Sequence, residues 1–227
     1  MFDPSRLEPE RKVREPIFRV PPATLILALV LIAIFLVMRF ALSPAEQDDI
    51  YLSFGFIPAI FLAWLDGQAP AGPALWPLVT HMFLHIDGFH LITNVGFLLA
   101  FASPVERRLG WLAFLVFFLV CGVAGALTQV WVTIDPATRE AVLVGASGGI
   151  FGLVGAALLL TPAGHGRRRG SLLPIMVALM ALNVAIGLAS EAGLFGEYLI
   201  GWQAHAGGFL MGLLIAWPLR RRLQRYP

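Results

Sequence analysis

The chain has 227 residues, of which 58% are hydrophobic and only 13% are charged. Soluble domains carry about 25% charged residues, and disordered chains are also rich in charge, so the composition excludes both classes. It indicates a protein that crosses a membrane several times. The net charge of +2 is too small for a surface that binds nucleic acid. The single cysteine, Cys121, permits neither an intrachain disulfide nor a cysteine-based metal site, and its apolar surroundings indicate packing.

The first 19 residues mix basic and acidic side chains, which predicts a solvated tail rather than a removable signal or transit peptide. After it, six stretches approach the ~20 apolar residues that a membrane-spanning helix needs. They are residues 20–38, 88–105, 109–134, 141–163, 171–190 and 198–219. A seventh uncharged stretch, residues 50–65, is interrupted by Gly55 and Pro58.

The distribution of arginine and lysine decides whether the seventh stretch spans the membrane, because these residues concentrate in cytoplasmic loops. Six spans with a cytoplasmic N-terminus place 14 of the 16 basic residues on the inner side, whereas seven spans would place only six there. We therefore predict an all-α, six-transmembrane-helix bundle with both termini cytoplasmic. Its parts are a tail (residues 1–19), a transmembrane domain (residues 20–219) with a partly interfacial outer loop (residues 41–87), and a second tail (residues 220–227). The chain shows no internal repeat, which gives no support to an inverted-repeat transporter.

Polar residues inside membrane spans are costly, which makes them candidates for function. His90, Ser147 and His205 each fall within the first two turns of the second, fourth and sixth predicted spans. These three spans run in the same direction, from the outer side inward. All three side chains are therefore expected at one depth, roughly 5–10 Å below the outer surface.

Ser147 lies in a run of small residues, Gly145-Ala146-Ser147-Gly148-Gly149. Small neighbours leave the hydroxyl accessible. If a helix begins at or just before Ser147, its first backbone N–H groups lack helical partners and suit a developing oxyanion. The alternative interpretation is a serine within a stripe of small residues through which two helices pack closely.

His205 is also surrounded by small residues, and an imidazole is a workable general base at neutral pH. Its depth beside Ser147 favours a nucleophile–base pair, although a proton relay or a packing residue is an alternative. Within the predicted spans no Asp or Glu lies at this depth, so the base needs another support. Phe151 is one helical turn beyond Ser147, on the same face, and is predicted to stack on the imidazole.

His90 and Asn94 are four residues apart and project from one helix face, where both offer N–H donors to an oxyanion. An interhelical hydrogen-bonded pair is the alternative. The spacing of His81, His85 and His90 invites comparison with a zinc site. We predict no metal there, because the spans contain no His-Glu-x-x-His pattern and no carboxylate ligand. His81 and His85 are instead expected to anchor the outer loop to the second span.

Several motifs in chain order resemble those of the rhomboid intramembrane serine proteases. Gly145-Ala146-Ser147-Gly148 resembles the Gly-x-Ser-x motif of the nucleophile. The segment around His205 resembles the base motif of the last span, and His90 to Asn94 resembles the His-x-x-x-Asn of the second. Further similarity covers the outer loop (residues 80–85) and the turn at residues 106–110. One departure is that Pro77, rather than the arginine frequent in the family, follows Trp76.

The resemblance implies a six-helix bundle whose active site opens to the outer side. In it, Ser147 attacks a peptide carbonyl, His205 takes the serine proton, and His90, Asn94 and the Ser147 N–H hold the oxyanion. Gly145, Gly148 and Phe151 support these groups. The implied substrate is a transmembrane protein with a single span and small or helix-breaking residues near the cut, and no metal or organic cofactor is implied. The outer loop and the fifth span are candidate gates.

Two other classes of function stay open on the sequence alone. One is a non-catalytic membrane binder with the same fold, and the other is a small transporter with the histidines as relay groups. For location, the short tails and the absence of a recognisable targeting segment favour the cytoplasmic membrane of a prokaryote.

Overall fold

The computed structural model describes residues 20–132, 136–160, 173–194 and 199–223. Within these ranges the regular structure is helical, with one isolated backbone bridge between Phe56 and Leu143. The α-helices in chain order are α1 (Pro22–Ala41), α2 (Pro44–Phe54), α3 (Pro58–Leu65), α4 (Ala71–Leu75), α5 (Pro77–Thr80), α6 (Gly88–Leu109), α7 (Trp111–Val132), α8 (Ser147–Leu160), α9 (Leu173–Glu191) and α10 (Trp202–Leu223). Short 3₁₀ turns cover His81–Phe83 and Pro136–Glu140.

Three of these helices, α1, α6 and α7, are long and apolar enough to cross a membrane. Helix α8 is apolar but has 14 residues, which corresponds to about 21 Å along its axis. The apolar part of α9, Met176–Glu191, is likewise shorter than a full span. The predicted all-helical character is thus confirmed in the described residues, and three helices meet the criteria for a span by themselves.

Residues 50–65 do not form one continuous helix. Helix α2 ends at Phe54, with Gly55 as its C-cap, and α3 begins at Pro58 and has only eight residues. Helices of 11 and 8 residues, each beginning at a proline, are too short to cross a bilayer. Neither helix could cross a membrane by itself, and residues 42–87 form a connection of short helices.

Several helix ends differ from the ends of the predicted spans. The apolar window ended the second span at residue 105, but α6 continues to Leu109 and stops at Gly110, whose φ is +80°. The fourth element does not begin at residue 141, because residues 141–146 are extended or turn and α8 starts at Ser147. Helix α10 continues past residue 219 to Leu223, so the helix does not end where the apolar residues end. Hydropathy reports where side chains favour lipid, whereas hydrogen bonding and glycine conformation fix the helix ends.

Helix α8 lies at the centre of the bundle, where it packs against α10, α7 and α6. Its glycines allow this packing. An added Cβ on Gly208 or Gly212 of α10 would collide with the backbone carbonyl of Gly148 or Gly152 of α8, respectively. The small-residue spacing in the sequence predicts such an approach of two helices.

A buried carboxylate joins the end of α6 to the start of α1. Glu106 accepts hydrogen bonds from the backbone N–H of Ala23 (3.0 Å) and of Thr24 (2.7 Å), and from the Thr24 hydroxyl (2.7 Å). These N–H groups belong to the first turn of α1, which has no side-chain cap of its own. Glu106 therefore caps α1 from 82 residues away and fixes α1 against α6.

The tail predicted at residues 1–19 lies outside the described residues, and so do residues 224–227 of the second predicted tail, whose residues 220–223 belong to α10. The described ranges also leave out His165 and the arginines at positions 167–169, on which the predicted inner charge partly depends.

Candidate active site

Ser147 and His205 are hydrogen-bonded to each other. Ser147 is the first residue of α8, and His205 lies in the first turn of α10. The distance between Ser147 Oγ and His205 Nε2 is 2.7 Å. The glycine contacts between α8 and α10 begin one residue after Ser147 and three residues after His205, so close helix packing holds the pair together.

The imidazole of His205 is supported on two further sides. The ring of Phe151, one turn along α8, stacks on it with the ring centroids 4.5 Å apart and the planes 13° from parallel. Asn183 of α9 places its Oδ1 2.6 Å from His205 Nδ1. Both ring nitrogens therefore have a partner, and the Ser147 hydroxyl is positioned to give its proton to Nε2.

His90 lies beside the turn that leads into α8. Gly145 in that turn has a φ of +119°, and a Cβ added to it would lie 2.7 Å from the His90 ring. Glycine is thus required both for the backbone conformation and for the space that the imidazole occupies. The backbone N–H of Gly145 donates to the His81 carbonyl (2.9 Å), which fixes the turn.

Asn94 is buried one turn beyond His90, and its Nδ2 donates to the His90 carbonyl at 2.9 Å. At the start of α8, the Ile150 N–H already donates to the Ala146 carbonyl. The N–H groups of the residues before Ile150 have no acceptor within the helix and are directed out of its first turn. The side chains of His90 and Asn94 and the start of α8 thus border one space.

That space is a cavity of about 350 Å³, lined by residues from α6, α8, α9 and α10. It lies at the end of the bundle where α6, α8 and α10 begin. Its polar lining includes His90, Asn94, Ser147, Asn183 and His205. The cavity is large enough to admit both water and an extended peptide segment beside Ser147.

The loop before α6 is held by hydrogen bonds to backbone carbonyls. The Trp76 indole donates to the Ser53 carbonyl (2.8 Å), Thr80 Oγ1 donates to the Phe54 carbonyl (2.7 Å), and the Tyr51 hydroxyl donates to the His85 carbonyl (2.9 Å). These bonds anchor the loop, in which Pro77 follows Trp76.

His81 and His85 belong to this loop and are buried. His81 Nδ1 donates to the Pro77 carbonyl (2.7 Å), and the His85 ring packs edge-on to the His90 ring with the centroids 5.0 Å apart. Burial lowers the pKa of His81 to about 4; burial and the nearby His90 lower the pKa of His85 to about 3. Both are therefore neutral at pH 7. Among the described residues no three His, Cys, Asp or Glu side chains are grouped as ligands for a metal.

A family model described as Rhomboid domain matches residues 72–222, which is more than half of the chain. The chain belongs to the rhomboid family. Members of this family are generally intramembrane serine proteases. Together with the apolar helices, membership identifies the chain as an integral membrane protein.

Named relatives come from plants, a bacterium and a parasite. RHOMBOID-like protein 1 of Arabidopsis thaliana is 29% identical over 62% of this chain and 33% of its own length. The rhomboid protein YdcA of Bacillus subtilis is 30% identical over 78% of this chain and 88% of its own length. Rhomboid-like protease 1 of Toxoplasma gondii is 28% identical over 67% of this chain and 50% of its own length. The chain spans about a third to just over half the length of the first plant relatives that it matches.

The structure gathers the side chains that the sequence singled out, namely His90, Asn94, Ser147, Phe151 and His205, around one cavity. The sequence pattern predicts neither a role for Asn183 nor a hydrogen-bonding side chain at His205 Nδ1. Only its polarity within an apolar span distinguished it. Asn183 is not a carboxylate, but its amide oxygen accepts the same hydrogen bond.

Proposed function

We propose that this rhomboid protein is a serine endopeptidase that cleaves transmembrane proteins near the outer face of the membrane. The observation that carries the proposal is the 2.7 Å hydrogen bond between Ser147 Oγ and His205 Nε2, inside a cavity of a helical membrane bundle. A serine hydroxyl is a weak nucleophile unless a base takes its proton, and the geometry supports His205 in that role.

Acylation begins when Ser147 Oγ attacks the substrate's peptide carbonyl carbon and its proton passes to His205 Nε2. The tetrahedral intermediate carries a negative oxygen. The proposed donors to it are the His90 imidazole, the Asn94 amide and the Ser147 backbone N–H, which all border the cavity. The protonated His205 then gives its proton to the leaving amine nitrogen, and the C–N bond breaks.

Deacylation uses water. Inside a bilayer, hydrolysis requires a cavity that admits water to the ester on Ser147, and the cavity of about 350 Å³ meets that need. His205 takes a proton from the water, the hydroxyl attacks the ester carbon, and Ser147 leaves with a proton from His205. The product carboxylic acid departs. Every proton transfer involves His205, so the mechanism calls for no metal and no organic cofactor.

The proposed substrate is a transmembrane protein, most simply one with a single span, that has small or helix-breaking residues near the scissile bond. Such residues favour local unwinding, which exposes a peptide bond to Ser147. Helix α9 contacts the bundle mainly through α10, which supports α9 and the outer loop as candidate gates for substrate entry.

The proposed topology has six spans (α1, α6, α7, α8, α9 and α10) and cytoplasmic termini. Under it, the cavity faces the outer side, because α6, α8 and α10 all begin there. The arginine distribution supports this orientation. We further propose the cytoplasmic membrane of a prokaryote, although two plant relatives are named mitochondrial and chloroplastic. Reporter fusions after Leu65 and after the C-terminus would test the topology, with the loop expected outside and the terminus inside.

The direct test of the nucleophile is labelling of detergent-purified protein with a fluorophosphonate probe. Wild type is compared with Ser147→Ala and His205→Ala, and Ser103→Ala of α6, which lies outside the cavity, is the matched control. We expect labelling of wild type and Ser103→Ala only. Labelling that persists in Ser147→Ala, or that fails in folded wild type while another rhomboid is labelled in parallel, would contradict the proposal.

A further inference from the structure

We propose that Asn183 is a positioning residue that fixes the tautomer and orientation of His205, so that the site works as a Ser147–His205–Asn183 triad. The inference rests on the proposed function. The observation behind it is that Asn183 Oδ1 lies 2.6 Å from His205 Nδ1, while Nε2 of the same ring lies 2.7 Å from Ser147 Oγ. Three side chains from three helices thus form one continuous chain of hydrogen bonds.

The direction of the hydrogen bonds determines whether Ser147 can react. An amide oxygen only accepts, so its contact requires the proton of neutral His205 to be on Nδ1. The lone pair on Nε2 is then available for the Ser147 proton. With the amide reversed, its NH₂ would donate to Nδ1, the ring proton would be on Nε2, and His205 could not act as the base.

The surroundings of Asn183 support the first orientation. Its Nδ2 is directed to the sulfur of Met180, one turn earlier on α9, at 3.8 Å. Sulfur is a weak acceptor and not a donor here, so the NH₂ side of the amide belongs toward Met180 and the oxygen toward His205. Phe151 supports one face of the imidazole, and Asn183 restrains its rotation within the ring plane.

Asn183 reaches the site from α9, whereas Ser147 and Phe151 belong to α8 and His205 to α10. The hydrogen bond is therefore made only while α9 lies against α10. Because an amide is neutral, it orients the base without adding a full negative charge, and we expect a smaller contribution than that of a carboxylate in the same place.

The test compares Asn183→Leu, which keeps the size but removes the acceptor, with Asn183→Asp, which keeps an acceptor. Leu182→Ala is the matched control, because Leu182 is the neighbouring residue on α9 and is exposed. For cleavage of a transmembrane substrate, we expect Asn183→Leu to lower kcat roughly 10- to 100-fold with little change in KM. We expect its fluorophosphonate labelling rate to fall by a similar factor. Leu182→Ala should behave as wild type.

Asn183→Asp should retain activity, because it keeps an acceptor for His205 Nδ1. It should also move the acidic limb of the pH–rate profile to higher pH, because a carboxylate stabilises the imidazolium. A merely structural role for Asn183 would not produce this shift. The other charged or titratable groups near His205 are unchanged in the variant. They include His90 on α6. The carboxylate of Glu191 on α9 is bound instead by Trp202 and Gln203 of α10.

A second measurement needs no variant of Asn183. In wild type labelled with ¹⁵N-histidine, with the His205 signals assigned by comparison with His205→Ala, we expect Nδ1 protonated and Nε2 unprotonated at pH 8. The opposite tautomer would overturn the inference even if Asn183→Leu fails to fold. The inference would also be overturned if Asn183→Leu had the kcat and the labelling rate of wild type. If instead wild type is not labelled at Ser147 at all, the proposed function fails, and the two failures are thereby distinguished.

Discussion

Gly208 of α10 lies directly against Gly148 of α8, with no room for a Cβ between the two backbones. This contact is one residue from Ser147 and three residues from His205 in the sequence. Backbone packing at this point therefore sets the spacing between the two reactive side chains. The same contact repeats one turn further along, between Gly212 and Gly152.

Adding a methyl group at this contact should disrupt the active site. In Gly208→Ala the new Cβ meets backbone rather than a movable side chain, so α8 and α10 must separate. We expect destabilisation of about 1–3 kcal/mol and at least a tenfold slower labelling of Ser147. Reversible unfolding in mixed detergent and fluorophosphonate labelling measure the two effects.

Gly96→Ala is the control for that substitution, because Gly96 lies inside α6 with open space around its Cβ position. It should leave labelling unchanged and stabilise the helix by up to about 1 kcal/mol. Equal behaviour of the two variants would contradict the importance of close packing.

The stacking of Phe151 on His205 should matter for rate rather than for substrate binding. Phe151→Leu keeps an apolar side chain but removes the flat surface that lies 4.5 Å from the imidazole. We expect kcat to fall about tenfold with KM nearly constant. Phe101→Leu is the control, since Phe101 contacts Phe97 rather than His205. A wild-type kcat in Phe151→Leu would show that the stacking does not position the base.

The cap that Glu106 provides for α1 should contribute to stability. Glu106→Gln replaces a carboxylate that accepts three hydrogen bonds with an amide that directs its NH₂ at the N–H groups of Ala23 or Thr24. We expect a loss of about 1–3 kcal/mol in the free energy of unfolding. Asp49→Asn, at an exposed position of α2, is the control and should have little effect. Equal stability of both variants would contradict the capping role.

Acid should destabilise the loop through its buried histidines. In the folded protein the pKa values of His81 and His85 are about 4 and about 3, well below the 6.5 of an exposed imidazole. The unfolded state therefore binds protons first as the pH falls. The contribution of the two neutral histidines to the free energy of unfolding is fully present above about pH 6.5. As the pH falls further, the free energy of unfolding declines by up to about 1.4 kcal/mol per pH unit for each histidine, until the folded-state pKa values are reached.

Unfolding measured from pH 7.5 to pH 4.5 checks this expectation, and His85→Gln should show a shallower dependence because one titrating group is removed. A pH-independent unfolding free energy in wild type would contradict it. His81 and His85 both precede α6, in the connection of short helices at residues 42–87.

The parts of the site that could be predicted from the sequence are those that depend on spacing along one helix. The face shared by Ser147 and Phe151, the face shared by His90 and Asn94, and the packing of Gly148 follow from 3.6 residues per turn. The depth argument for Ser147 and His205 needed only the direction and start of each span. Local periodicity and one topological assignment were sufficient for these residues.

The parts that could not be predicted depend on pairings between distant segments. Asn183 and His205 are 22 residues apart, and Glu106 and Thr24 are 82 residues apart. Nothing in the local pattern states which polar groups will meet when the helices pack. The same applies to residue 145, whose positive φ makes the turn after which α8 starts at Ser147, six residues later than the start of the fourth predicted span.

The most direct measurement of the central claim is cleavage of a single-span substrate by the protein reconstituted in liposomes, with the fragments identified by mass spectrometry. We predict that wild type and Ser103→Ala cut one peptide bond near the outer end of the substrate span. Ser147→Ala and His205→Ala should each be at least ~10³-fold slower. Cleavage by Ser147→Ala at the wild-type rate would contradict the assignment of Ser147 as the nucleophile.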